Sequence, residues 1–160
     1  MIVTRDETAE RERFVQATLS YLGTAYHHHA RIKGVGVDCA TLLVCSAQEA
    51  GLLPEAFELP EYSPMWHLTR SAEKYLHTIL KICTEVEGPP RSGDIVIYKF
   101  GRTFSHGAVV VKWPMIIHAC IHDRVRTDDA SKCAWLTTVG EQGLDLGKPR
   151  PMKIVSLWPR

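Results

Sequence analysis

Several absences narrow this 160-residue chain before any motif is considered. Its formal charge is only +1, from 19 Lys and Arg against 18 Asp and Glu. No surplus of either sign therefore points to a nucleic acid or an anionic membrane surface as the partner. No stretch approaches the roughly 20 apolar residues of a membrane-spanning helix, so no membrane insertion is expected. The opening MIVTRDETAERERFV lacks the apolar core of a signal peptide, and export is expected to use another route. There are no internal repeats and no low-complexity segments. The five cysteines, Cys39, Cys45, Cys83, Cys120 and Cys133, are odd in number and include no CxxC pair. They do not read as a disulfide framework or a zinc site, and no metal or cofactor is expected.

What is present is ordinary for a globular protein: 45% hydrophobic and 23% charged residues, enough for one domain over residues 1–160. Thr4-Arg5-Asp6-Glu7 resembles a capping box, followed by a helical stripe of Val15, Leu19 and Leu22 that stops at Gly23. Residues 26–37 read as a loop with three histidines. A second helix follows Asp38, and residues 51–64, with Pro54, Pro60 and Pro64, read as an irregular connection. Leu68, Ala72, Leu76, Ile79 and Cys83 fall at helical spacing and predict a third helix. After Gly88-Pro89-Pro90 the texture changes to β-branched and apolar runs: 95–98, 106–111, 115–121 and a closing 154–158. Residues 128–150 are weakly patterned, with a short helix near Ala134. Helices first and short-linked strands later predict an α+β fold with an antiparallel sheet. Cys45, Cys83 and Cys120 read as small core residues.

The most informative segment is Gly36-Val37-Asp38-Cys39-Ala40. Leu42, Leu43, Ala47 and Ala50 recur at helical spacing behind it, and Gly51 is a plausible stop. Asp38 serves as N-cap, leaving Cys39 in the first turn. There, backbone N–H groups and the helix dipole are expected to favour the thiolate, the nucleophilic form. Such a nucleophile needs an imidazole, and the imidazole needs a third group to hold it. His106 and His118 lie on consecutive strand-like runs joined near Lys112-Trp113-Pro114. In an antiparallel hairpin, paired residue numbers sum to a constant, and same-face residues keep the parity of that sum. Both histidines are even, so they share a face only if the sum is even. That requires an odd loop, with Val111 opposite Met115, or a bulge. His118 is then the diagonal neighbour of His106. His122 has the same parity and competes for the orienting role. Three consecutive histidines, His27-His28-His29, cannot all point at one ion from a regular element, and they read as loop or cleft lining.

Taken together, GVDCATLL, GDIVIYKFGRTFSHGAVVV and MIIHAC resemble the NlpC-type papain-like cysteine peptidases over roughly residues 10–125. The likeness follows the phage branch in its Tyr26-His27-His28 and Gly34-to-Cys39 segment. It implies a papain-like NlpC fold, with N-terminal helices carrying the nucleophile packed on an antiparallel sheet. It further implies Cys39 as nucleophile, His106 as base and His118 as orienter. Tyr26 corresponds to the family's tyrosine upstream of the nucleophile, and Tyr26, Asp38 and His28 are the candidate substrate-binding residues. The implied reaction is amide hydrolysis in peptidoglycan stem peptides. Phage tail proteins are the implied partners, and the implied location is the virion tail after synthesis in the host cytoplasm. The alternatives are a tail-assembly protein with an inactive or masked triad, and a papain-like amidase or acyltransferase on another substrate. Bacterial cell-wall members commonly carry Ser-Gly after the cysteine. Here Ala40-Thr41 follows, so their fine specificity does not carry over.

Overall fold

A computed structural model describes residues 5–63, 73–139 and 146–160. In chain order the elements are α1 (Glu7–Leu19), β1 (Arg31–Ile32), β2 (Gly36–Val37), α2 (Cys39–Glu49), α3 (Lys74–Ile79), β3 (Thr84–Glu85), β4 (Ile95–Phe100), β5 (Thr103–Lys112), β6 (Met115–Ala119) and β7 (Val125–Asp129). A 3-10 turn (Ala134–Leu136), β8 (Thr137–Val139), β9 (Leu146–Pro149) and β10 (Met152–Ser156) complete them. Six strands form one antiparallel sheet in the order β3-β10-β4-β5-β6-β7, and β8 pairs with β9 separately. This is the α+β architecture with an antiparallel sheet that the sequence predicts.

Both faces of the central sheet are covered, which is why its strands read as continuous apolar runs rather than as alternating ones. Odd-numbered Ile95, Ile97, Val109 and Ile117 pack with Phe14 and Val15 of α1 and with α2 in the larger core. Even-numbered Val96, Tyr98, Ala108, Val110 and Ile116 face a second core, closed by Ala130, Leu136 and Trp135. Helix α2 has no polar side: every residue from Cys39 to Ala47 is buried. The stripe seen in the sequence understates this, because α2 packs against both the sheet and α1. Gly51 takes φ +72° just after the C-cap Ala50, as its position predicts.

Three expectations change. The N-cap of α1 is Asp6, whose carboxylate accepts from the Ala9 N–H at 3.2 Å; Thr4 lies outside the described residues. The buried residues of α1 are Glu10, Arg11, Phe14, Val15 and Thr18, while Leu22 is half exposed, because the helix ends at Leu19 and Tyr21 turns inward instead. Of the third-helix stripe, Leu68 and Ala72 lie outside the described residues, as does Pro64. The helix that is described stops at Ile79, and Cys83 follows in the turn leading to β3. Strands β7, β8 and β9 lie where the sequence is weakly patterned. β7 is an edge strand that carries Arg126 and Asp128 on one face and Thr127 and Asp129 on the other, so no apolar alternation marks it.

Candidate active site

The site begins at the N-terminus of α2. Asp38 Oδ1 accepts from the backbone N–H groups of Ala40 and Thr41, both at 2.9 Å, and the Thr41 hydroxyl accepts from the Asp38 N–H at 2.8 Å. This reciprocal capping box holds Cys39 as the first helical residue. Asp38 Oδ2 accepts from the His29 N–H at 2.7 Å and from the Tyr62 hydroxyl at 2.6 Å, and His28 Nδ1 lies 3.7 Å from it. Asp38, 1% exposed, is therefore a buried anchor for the whole loop as well as a cap. Ala40 is wholly buried, so nothing at that position reaches the surface.

The Cys39 sulfur lies against the strand that carries His106. It donates to the Ser105 carbonyl at 3.7 Å, and the Gly107 N–H lies near it on the other side of His106 in sequence. The expected low thiol pKa is not what the structure gives. Burial, and then the neighbouring Asp38 carboxylate, push the Cys39 thiol well above its ordinary value, although hydrogen bonds from Gly107 and Tyr75 act the other way. Burial deprives the thiolate of water, and Asp38 adds a negative charge beside the sulfur. In the free protein Cys39 is a thiol, and its proton must be removed by a base when it attacks.

The hairpin settles the parity question. Val109 pairs with Ile117 and Val110 with Ile116, an even sum, whereas Lys112 pairs with Met115 across a two-residue Trp113-Pro114 turn. The bulge at Val111 reconciles a short turn with an even register, so of the two conditions, an odd loop or a bulge, the structure has the bulge. His106 Nε2 and His118 Nδ1 are 2.8 Å apart. His122 is exposed, in a turn at φ +61°, and takes no part. Burial holds the His106 imidazole well below its ordinary pKa, helped by His118 and Arg150. Burial also lowers His118, against the opposing pull of Asp128. Both rings are therefore neutral near pH 7.

The sequence reading missed several neighbours. Trp135 meets the His106 ring edge-on, with centroids 4.5 Å apart, and lies 5.8 Å from His118, walling both from solvent together with Phe100. Asp128 Oδ2 is 2.7 Å from His118 Nε2. The buried Tyr75 hydroxyl donates to the Cys39 carbonyl at 3.3 Å. Reading 125–129 as a strand would have placed Asp128 on the face of His118; Trp135 and Tyr75 carry no local signal. Tyr26 is partly buried near the nucleophile: burial first, then the charges of Cys39 and Asp38, raise its phenol. His28 packs edge-on against Tyr62, with centroids 5.1 Å apart, and helps line a cleft of about 460 Å³ with His29, Glu61, Ser63 and Lys74. Among the described residues, no group of three or more His, Cys, Asp or Glu is placed to hold a metal ion.

No family model and no curated protein sequence matches the chain. Solved structures do. NlpC2 from Trichomonas vaginalis matches with a TM-score of 0.63 at 15% identity, covering 98% of this chain and 49% of that one. The P60 domain of an antigen from M. avium paratuberculosis matches with a TM-score of 0.54 at 16% identity, over 93% of each chain. The NlpC/p60 domain of the peptidoglycan hydrolase SagA matches with a TM-score of 0.50 at 13% identity, covering 74% of this chain and 88% of that one. The chain spans about half the length of the Trichomonas protein. Its fold is thus that of the NlpC/p60 domain proteins, the papain-like α+β arrangement that the motifs predict.

Proposed function

We propose that the protein is a cysteine peptidase that hydrolyses amide bonds in peptidoglycan stem peptides. The observation that carries this reading is the Cys39 sulfur at the start of a buried helix, held against the backbone either side of a His106 that is itself bonded to His118. In the reaction, the Cys39 sulfur attacks the substrate carbonyl carbon while the imidazole of His106 takes up the thiol proton. The N–H of Cys39, at the helix start, donates to the tetrahedral oxyanion. Collapse of that intermediate breaks the C–N bond, and His106 returns the proton to the leaving amine. Water, deprotonated by the same imidazole, then releases the acyl group as a carboxylate and restores the thiol. Tyr26 and His28 contribute to the substrate cleft, and Asp38 acts by holding the loop that shapes it.

The substrate class draws support from the fold shared with a domain of a peptidoglycan hydrolase and from the three motifs in order. Delivery by a phage tail, with tail proteins as partners, rests on the Tyr26-to-Cys39 segment; recovery of the chain from purified virions by mass spectrometry tests it. A second reading, a structural protein with a masked triad, draws on the burial of Cys39 and His106, which are 3% and 5% exposed. Digestion of purified muropeptides decides between the two. Stem-peptide fragments that appear with the wild type and vanish with Cys39→Ala support the peptidase, and a wild type that releases none supports the masked site.

A further inference from the structure

We propose that Asp128 is the positioning residue that fixes the protons on both histidines, leaving His106 Nδ1 bare to act as the base. The inference rests on the peptidase reading for its consequence in catalysis, but the proton placement follows from the hydrogen bonds and from the neutral state of the two buried rings. Register puts Arg126 opposite His118 and Asp128 opposite Ile116, so Asp128 is the diagonal neighbour of His118 on the same face. Asp128 Oδ2 receives His118 Nε2 at 2.7 Å and the Arg126 Nε–H at 2.7 Å, while Arg126 Nη1 bonds Asp123 at 3.1 Å. Arg126 only donates, and it keeps the carboxylate ionised and aimed.

An ionised carboxylate only accepts, so His118 Nε2 must carry its hydrogen. A neutral imidazole has one such hydrogen, which makes His118 Nδ1 an acceptor. The nitrogen 2.8 Å from it, His106 Nε2, must then be the donor. The single hydrogen of His106 is thereby used, and Nδ1 is left with a lone pair. Without Asp128 the opposite pattern satisfies the contact between the rings equally well: His118 Nδ1–H donating to His106 Nε2, with the hydrogen of His106 on Nδ1. That form cannot accept a thiol proton. His118 is wholly buried, so solvent does not choose between the two patterns, and the carboxylate does.

The test reads ring tautomers by ¹⁵N–¹H correlation NMR, alongside kcat and KM on a purified muropeptide, in the wild type, Asp128→Ala and Asp128→Asn. The wild type should show Nε2–H on both rings, and Nδ1–H on either ring overturns the proposal. Asp128→Ala should mix or reverse the tautomers and lower kcat by about 10- to 100-fold, by analogy with the loss when the outer partner of a metal-ligating imidazole is removed, with KM within about twofold. Asp128→Asn, whose amide oxygen can still accept both N–H groups, should recover the wild-type tautomers and part of kcat. An alanine variant with wild-type tautomers or wild-type kcat overturns the assignment, as does an asparagine variant no better than alanine. A wild type with the stated tautomers that cleaves nothing overturns the peptidase reading instead, and leaves the proton placement standing.

Discussion

Replacing Gly107 with alanine should destabilise the protein through one identifiable atom. A Cβ at position 107 would sit well inside contact distance of the Tyr75 hydroxyl and 3.0 Å from Leu43 Cδ1. Tyr75 is 2% exposed, so it has no solvent to swing into, and its hydroxyl is committed to the Cys39 carbonyl. Overpacking of this kind costs about 1–3 kcal/mol, and a disrupted hydrogen bond adds about 0.5–1.5 kcal/mol. Gly107→Ala should therefore lose roughly 2–4 kcal/mol, equivalent to a fall in Tm of about 5–15 °C for a chain of this size. Removing the hydroxyl relieves the worst contact, since the nearest remaining atom of that ring is then Cζ at 3.1 Å. In a Tyr75→Phe background the glycine substitution should cost at least about 1 kcal/mol less, a coupling that a double-mutant cycle in urea unfolding resolves. Wild-type stability for Gly107→Ala, or an undiminished cost in the phenylalanine background, would refute this packing argument.

Two further outcomes follow from buried charge. Asp94, fully buried, pairs with Arg11 and Arg160, each at 2.9 Å. Burial raises its pKa, but bonds from Arg11, the Arg91 N–H and Ser156 outweigh this and hold the carboxyl below its ordinary value. A depressed carboxylate contributes stability above its unfolded pKa, near 4, which is lost as pH falls through the folded value. Asp94→Asn should cost about 3–5 kcal/mol at pH 7 and flatten the acid limb of Tm against pH; an unchanged acid limb contradicts the assignment. The second outcome concerns catalysis. Because His106 is held neutral well below the usual histidine range, the acid limb of kcat/KM should have its midpoint below about pH 6.5. A midpoint at or above that value in a stopped assay of muropeptide cleavage would contradict His106 as the base.

The order of helices and strands, the cap at Asp38 and the shared face of His106 and His118 were legible because each rests on short-range chemistry: a capping residue, a period, a parity. The bulge at Val111 was legible as one of two conditions, although the sequence could not choose between a bulge and an odd loop. What escaped depends on distant neighbours. The high thiol pKa of Cys39 follows from how deeply α2 is buried and from the Asp38 carboxylate beside the sulfur. Asp128 was hidden because an edge strand carries charge instead of alternating apolar residues. Trp135 and Tyr75 reach the site from segments far along the chain, and no local pattern marks them.

Incubating purified sacculi with the wild type and with Cys39→Ala, then identifying the released fragments by mass spectrometry, decides whether Cys39 is the nucleophile of a wall peptidase. Defined stem-peptide fragments should appear with the wild type alone, with the variant folded and inert. Equal release by Cys39→Ala would contradict that role.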